Sequence, residues 1–236
     1  MRKFLLLILS VLCCIAHGKE LSKEAERLSH AAAVVNEIMR TPEKGVPQDL
    51  LDKAVCVGII PGEKKLALGV GGDFGRGALV CRRGGNGRWG APSMFTLGGA
   101  SFGFQVGGQS SDILFIVMNA TGTKKLIQSS VKLGADAAVA AGPVGRKAEG
   151  ATDLQLRAEI LSYSRSRGLF AGVSLEGAVL KQDDDANKYL YGRAIDAKEI
   201  LFTRTVAVPP VARPLDAALA KYSPHGGKPF PSASGG

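Results

Sequence analysis

The chain has 236 residues, of which 45% are hydrophobic and 22% are charged, and its formal net charge is +9 at pH 7. This length suits one domain with a substantial core, and the basic balance favours anionic partners such as lipid headgroups, acidic polymers or nucleic acid. Three histidines and four cysteines, none at the spacing of a zinc site, argue against a zinc centre and against chemistry that needs an activated histidine.

The first eighteen residues have the layout of a secretory signal peptide. Two basic residues come first, an apolar run follows over residues 4–15, and small residues precede a cleavage point after Gly18. The run is too short for a permanent bilayer span, and an uncleaved anchor is the alternative. Lipid attachment at Cys13 or Cys14 is less favoured, because neither follows a small residue.

Export has three consequences. We expect the mature chain to be periplasmic or extracellular, with peripheral attachment to a membrane as a further option. Cleavage would lower the formal charge from +9 to +7 and would make nucleic acid an improbable partner. In an oxidising compartment Cys56 and Cys81 could form one disulfide, and two buried thiols are the alternative.

The first predicted element of the mature chain is an amphipathic helix. Apolar residues recur at three- and four-residue spacing over residues 20–40, and a short second helix is predicted from Pro47 to Lys53. The first helix is interpreted as a cover for the core. A membrane-surface helix is the alternative, although the mixture of acids and bases on its polar face weakens that interpretation.

Short apolar runs separated by glycine pairs then predict a curved sheet. The candidate strands are residues 55–60, 66–70, 78–81, 94–97, 102–106 and 113–118, with the first ended by Pro61-Gly62. The glycine pairs that separate them are interpreted as bends and bulges rather than as a disordered linker. A nucleotide-binding loop is not supported, because Phe74 stands where the last glycine of that motif would be.

Helices and strands alternate in the second half of the chain. We predict a helix over residues 121–133 with Thr121 as its N-cap, further β structure over residues 158–164 and 169–180, and short helices at 186–192, 197–202 and 214–222. The predicted fold is α+β: a single domain with a curved, glycine-rich, mainly antiparallel sheet flanked by N-terminal and central helices. The domain is placed at residues 19–205, and residues 206–236 form a proline- and glycine-rich C-terminal segment that is partly disordered.

Paired or clustered basic residues fall at predicted turns and strand ends. If they share one face they form a surface that binds anions, and an evenly solvated surface is the alternative. The candidates are Lys64, Lys65, Arg82, Arg83, Arg88, Arg146, Lys147, Arg165 and Arg167.

Two other segments are weaker candidates for binding. Residues 142–146 contain two glycines and an arginine, which could hold a phosphate or form a rigid turn. The three consecutive aspartates from Asp183 could attract calcium, but they lack the ligand spacing of a calcium loop and are interpreted as a solvated turn.

The order of several short segments resembles the SYLF domain family over residues 24–205. The segments are Ala54-Val-Cys-Val-Gly-Ile-Ile-Pro61, Trp89-Gly-Ala-Pro92, Gly99-Ala-Ser-Phe-Gly-Phe-Gln-Val-Gly107, Leu133-Gly-Ala-Asp136, Gly142-Pro-Val-Gly-Arg146, Tyr163-Ser-Arg-Ser-Arg-Gly-Leu-Phe-Ala-Gly172, Asn187-Lys-Tyr-Leu-Tyr-Gly192 and Glu199-Ile-Leu201. The resemblance implies binding of phosphoinositides or other anionic lipids, actin binding in some members, and no catalytic residues.

The sequence therefore predicts a non-enzymatic module that binds anionic lipid headgroups at a membrane surface. A structural or protein-interaction module of the cell envelope is the alternative, and an unrecognised hydrolase is a third reading that lacks an activated nucleophile. Anionic membrane lipids are the expected partners, and no cofactor or metal is expected. Actin is not expected as the partner of an exported bacterial protein.

Overall fold

The computed structural model of the chain describes residues 2–40, 45–145, 157–166, 168–203 and 205–226, with the backbone alone at 2–19, 65–71 and 100–109. The helices are α1 (Arg2–Met39), α2 (Gln48–Lys53), α3 (Ala120–Leu126), α4 (Asp184–Tyr191), α5 (Ala197–Phe202) and α6 (Arg213–Tyr222). The strands are β1 (Cys56–Cys81), β2 (Ser93–Val117), β3 (Ser130–Lys132), β4 (Val139–Ala141), β5 (Ile160–Ser166), β6 (Leu169–Gly172) and β7 (Val179–Gln182). Short 3-10 turns lie at Arg83–Gly85 and Pro210–Ala212.

Strands β1 and β2 form one long antiparallel ribbon. Their pairing runs from Cys56 opposite Val117 to Leu79 opposite Ser93, with two shifts of register. The prediction of six short strands separated by glycine bends is therefore wrong, because most of the glycines lie within continuous strands. A glycine lowers the stability of a strand without ending it, because its backbone N–H and carbonyl still form the hydrogen bonds of the ladder.

The predicted end of the first strand is a β-bulge. The register shifts between Ile60 and Glu63, and Gly62 has a φ of 63°. Proline has no N–H to donate, so a bulge is one of the few places where a strand accepts it. Pro61 and Gly62 therefore bend the ribbon without terminating it.

The ribbon bends back so that the two ends of β1 meet. The Arg82 N–H donates to the Val55 carbonyl at 2.8 Å, and a disulfide joins Cys56 to Cys81. Gly77 permits this approach, because a Cβ at that position would lie 2.1 Å from the Ile59 carbonyl oxygen. The glycine content of the ribbon thus serves close backbone contact as well as curvature.

The other strands extend this curled sheet on both sides of β2. One end of β2 pairs with β7 over residues 95–98, and the other end pairs with β5 over residues 112–117. Strand β3 adds to β7, strands β4 and β6 add to β5, and only the β4–β5 pair is parallel. The prediction of an α+β domain with a curved, mainly antiparallel sheet is confirmed.

The sheet has an apolar core on each face. Along β2, Leu114 and Ile116 pack in a cluster with α1, α4 and α6, whereas Ile113, Phe115 and Val117 pack in a second cluster with α3 and α5. This alternation is the two-residue period of a strand with both faces buried. Helices α1, α4 and α6 therefore pack on one face of the sheet, and α3 and α5 pack on the other.

The central helix is shorter than predicted. Helix α3 begins after Asn119, whose side chain accepts a hydrogen bond from the Gly122 N–H at 2.9 Å, and it ends at Leu126. The predicted N-cap Thr121 lies inside the helix. Val131, expected on the same helix, instead lies in β3 opposite Leu180, where a β-branched side chain packs well.

Helix α1 covers one face of the core. It is continuous from Arg2, so it is longer than the predicted helix at 20–40. Its own residues Leu28, Ala31 and Val35 are buried against the core. Among the described residues no helix has both the length and the apolar character needed to cross a bilayer. The signal peptide over residues 1–18 stays a prediction.

The chain beyond residue 205 contributes to the same core. Leu215 and Leu219 of α6 are buried in the cluster that contains α1, and Ser223 is fully buried just after α6. The apolar core therefore includes part of residues 206–236, the segment that was predicted to follow the domain. Disorder was predicted over residues 223–236, of which residues 227–236 lie outside the described part.

Candidate functional site

The structure describes the side chains of five of the nine predicted anion-binding residues, and two of these five are not exposed. Arg83 and Arg88 are exposed in the turn between β1 and β2, and Lys64 is exposed within β1. Arg82 and Arg165 are held by internal partners. The side chain of Lys65 and the whole of Arg146, Lys147 and Arg167 lie outside the described part of the structure.

Arg82 is a buried structural residue, with only 2% of its surface exposed. Its Nε donates to the Ala54 carbonyl at 3.0 Å and its Nη1 to the Gly87 carbonyl at 3.2 Å. Its Nη2 donates to the carbonyl and to the hydroxyl of Ser223. These partners occupy the guanidinium group, so the prediction of Arg82 as a headgroup ligand is wrong.

Trp89 and Asp52 complete the surroundings of Arg82. The guanidinium carbon lies 3.9 Å from the centroid of the Trp89 ring, and the indole N–H donates to the Ser223 carbonyl at 2.9 Å. Burial lowers the pKa of Arg82 to about 10, while Asp52 opposes that shift. Arg82 stays charged at neutral pH and joins the end of β1 to the residue that follows α6.

Arg165 is likewise paired with acids. Its Nε donates to Asp112 Oδ2 at 3.0 Å, and its Nη2 also contacts that oxygen. Its Nη1 forms an ion pair with Glu37 of α1. Arg165 thus connects β5, β2 and α1, and it is not available to an external headgroup as the sequence predicted.

Arg83 and Arg88 are brought together by the turn that follows β1. The Arg83 N–H donates to the Arg88 carbonyl at 2.9 Å, and Gly84 and Gly85 have φ angles of 68° and 86°, a left-handed conformation that favours glycine. An acidic residue of α6, Asp216, lies near both arginines. Burial raises its pKa, and the two arginines partly oppose that shift.

Lys124 is a functional candidate that the sequence analysis missed. It is exposed on α3 and lines a cavity together with Arg82, Gly84 and Gly85 of the turn. The next residue, Lys125, forms an ion pair with Glu159 at 2.8 Å, whereas Lys124 has no ion pair with any described residue. Adjacent lysines on a short helix were visible in the sequence, but their pairing was not.

We define the basic turn site as Arg83, Arg88 and Lys124. All three are exposed cations, and Gly84 and Gly85, which follow Arg83 in the turn, line the same cavity as Lys124. Arg83 also donates from its Nη2 to the Val206 carbonyl at 3.3 Å.

A family comparison supports the resemblance seen in the sequence. The model of the Ysc84 family, described as "Las17-binding protein actin regulator", matches residues 98–222. The chain belongs to the Ysc84, or SYLF, family. The match begins within β2 and ends at the last residue of α6, so Lys124 lies within it and the arginines of the turn lie before it.

Relatives in the Ysc84 family extend the similarity toward the N-terminus. "LAS seventeen-binding protein 3" of Saccharomyces cerevisiae is 34% identical over 215 residues, which are 89% of this chain and 46% of the relative. The human "SH3 domain-containing YSC84-like protein 1" is 36% identical over 165 residues, which are 70% of this chain and 48% of the relative. The chain thus spans about half the length of these relatives.

The two weaker binding candidates have structural roles in this member of the Ysc84 family. The Gly142 N–H donates to Ser162 and the Gly145 N–H donates to Gly45, so these groups are not free to bind a phosphate. Asp183 caps α4 by accepting from the Ala186 N–H, and it is buried rather than solvated. Among the described residues, no cluster of three or more His, Cys, Asp or Glu could hold a metal.

Proposed function

We propose that this chain binds anionic lipid headgroups at a membrane surface and does so without catalysis. The observation that carries the proposal is the basic turn site, where two exposed arginines lie in one turn and an exposed lysine lines the cavity that this turn borders. The positive net charge, +9 for the whole chain and +7 after the predicted cleavage, adds a longer-range attraction to anionic surfaces. Arg83 and Arg88 belong to the nine residues predicted from the sequence, and Lys124 is added to them here.

The strength of such binding is modest. A cation close to an anionic bilayer contributes about 1 kcal/mol, so three cations supply about 3 kcal/mol before the repulsion from Asp216 is counted. Exposed charges are strongly screened by salt. The proposal therefore requires binding that rises with the anionic fraction of the membrane and falls as salt is added.

We further propose an exported, non-enzymatic protein. The layout of residues 1–18 supports export, and the mass of the N-terminal peptide of the secreted protein would test cleavage after Gly18. His30, one of the histidines outside the predicted signal, is largely exposed on α1, and its recorded partner is a surface acid, Glu26, at 4.0 Å. That environment does not activate a nucleophile.

Vesicle co-sedimentation tests the lipid proposal. The purified protein is mixed with vesicles of phosphatidylcholine alone or with phosphatidylglycerol added in steps, at about 0.05 M and about 0.5 M salt. We expect bound protein to increase with phosphatidylglycerol and to decrease at the higher salt concentration. Binding that ignores both variables would contradict the proposal.

A protein-interaction function is the second candidate. The family description names an actin regulator, and relatives carry the name of a Las17-binding protein. The chain also exposes two large apolar side chains, Phe74 and Leu169, which are 55% and 74% exposed. The sequence-based expectation that actin is not a partner depends on export. Co-sedimentation with filamentous actin, in parallel with inert behaviour on vesicles, would favour this candidate.

A further inference from the structure

A cavity of about 320 Å³ lies beside the basic turn site. It opens between the 3-10 turn after β1, the start of α3 and the end of α5. This volume is at the lower end of the range found for sites that bind small molecules. The residues that form its walls and carry the argument are Val55, Cys81, Ala120, Lys124, Leu201 and Phe202.

The walls of the cavity are mainly apolar. Cys81 contributes its side of the disulfide and Leu201 is buried, whereas Phe202 is 45% exposed. A large aromatic side chain left half in solvent beside an apolar cavity is a common feature of a ligand site. The hydroxyl of Thr123, which also lines the cavity, already donates to the Asn119 carbonyl at 3.0 Å. The interior thus offers little to a polar ligand.

The charge at the cavity has one sign. None of the described residues that line it is acidic, while Lys124 and Arg82 are basic. The donors of Arg82 are occupied by internal partners. Lys124 is exposed and has no ion pair with any described residue, so it is the group that can meet an anion.

We infer that this cavity binds the acyl chain of a single-chain anionic amphiphile, with the anionic head at Lys124. An apolar interior with one cation beside it matches a carboxylate or phosphate joined to a hydrocarbon chain. The ligand is a free fatty acid or a lysophospholipid drawn from a membrane. The inference deepens the proposed function, because a protein attracted to an anionic surface would then hold one lipid chain.

Calorimetric titration with dodecanoate and with lysophosphatidylglycerol, each below the concentration at which it forms micelles, tests the cavity. Ala120 is exposed and lines the cavity, so Ala120→Phe should fill it without disturbing the core. Gln128→Phe places the same side chain at an exposed position that does not line it. We expect Ala120→Phe to weaken dodecanoate binding at least about tenfold and Gln128→Phe to leave it unchanged.

The role of charge is tested separately. Lys124→Gln should weaken dodecanoate binding by about fivefold and leave the binding of dodecanol unchanged, and the exposed Lys132→Gln is the matched control. Phe202→Asp, which places a like charge beside the bound anion, should also weaken binding, so the inference does not depend on one variant. Tighter binding of lysophosphatidylglycerol than of dodecanoate would identify a membrane lipid as the source, and the reverse order would identify a free fatty acid.

The inference about the cavity and the proposed binding to membranes can be contradicted separately. Ala120→Phe keeps the basic turn site, so its binding to anionic vesicles should persist. Dodecanoate binding without vesicle binding would support the inference about the cavity and contradict the proposed function. Equal dodecanoate binding by the wild type and Ala120→Phe, or no binding by the wild type, would overturn the inference.

Discussion

Cys56 and Cys81 are the first and last residues of one strand, and a disulfide joins them. A strand can meet its own start only if it bends back on itself. The bulge at Pro61 and the glycines of β1 permit this bend, and the disulfide holds the ends of the β1–β2 ribbon together beside the basic turn site. The covalent bond and the proposed binding site therefore depend on the same feature of the fold.

Loss of the disulfide should lower stability substantially. Cys56 and Cys81 are 25 residues apart, and closing a loop of that size in the unfolded chain contributes about 3 to 4 kcal/mol in the chain-entropy account. Urea unfolding of the oxidised protein, the reduced protein and the double variant Cys56→Ala with Cys81→Ala checks this. Reduced protein as stable as oxidised protein would contradict it.

Arg82 should contribute to stability, whereas Arg88 should not. Arg82→Met removes donors to the carbonyls of Ala54, Gly87 and Ser223 and leaves those acceptors without their partner. We expect a loss of about 3 kcal/mol, since breaking a buried charged network costs about that much. Arg88→Met, at an exposed position in the same turn, is the control and should change the free energy of unfolding by less than about 0.5 kcal/mol.

Tyr163, which is buried, and Tyr191, which is partly buried, should respond differently to loss of the hydroxyl. Tyr163 stacks on Phe170 with the ring centroids 5.3 Å apart, and its buried hydroxyl has no hydrogen-bond partner among the described residues. Tyr191 instead donates to the Pro92 carbonyl at 2.6 Å. Tyr163→Phe should leave stability unchanged or raise it, and Tyr191→Phe should lower it by about 1 kcal/mol. Equal losses in thermal unfolding would show that the hydroxyl of Tyr163 is satisfied.

Glu24 should give the folded protein an identifiable pH dependence. Burial raises the pKa of Glu24 above its ordinary value of 4.5, and Arg27 only partly opposes the shift. The folded state then binds this proton more tightly than the unfolded chain, so Glu24 contributes a loss of stability as the pH rises above 4.5.

The variant Glu24→Gln isolates that contribution. Its stability relative to the wild type should increase as the pH rises from the ordinary pKa of Glu24, 4.5, and should then level off. Glu26→Gln, at an exposed position on the same helix, is the control and should show no such trend. A relative stability of Glu24→Gln that falls with rising pH would show that pairing with Arg27 outweighs burial.

Local patterns predicted much of the fold. The three- and four-residue spacing located the helices near α1, α4, α5 and α6, and the apolar runs located the sheet. The prediction that glycine pairs separate short strands was wrong for β1 and β2. A glycine pair reads as a turn when only its neighbours in sequence are considered, yet Gly98 and Gly99 lie in a continuous strand opposite Phe74 and Asp73.

The candidate site was predicted only in part, because exposure depends on distant partners. Arg82 and Arg83 are indistinguishable in sequence, but Ser223, 141 residues away, accepts a hydrogen bond from Arg82 alone of the two. Arg165 meets Asp112 and Glu37 through pairings of strands and a helix that no spacing reveals. Lys124 was overlooked because the cavity beside it is formed by four separate segments of the chain.

The central claim is that the basic turn site attracts the chain to anionic membranes. Its most direct test compares vesicle binding of the triple variant Arg83→Gln, Arg88→Gln and Lys124→Gln with that of Lys132→Gln, Lys181→Gln and Lys188→Gln, which removes the same charge from other exposed positions. We predict that the first variant loses most of its affinity for phosphatidylglycerol vesicles and most of its salt dependence, while the second stays close to the wild type. Equal losses in the two variants would show that only net charge matters and would contradict the account.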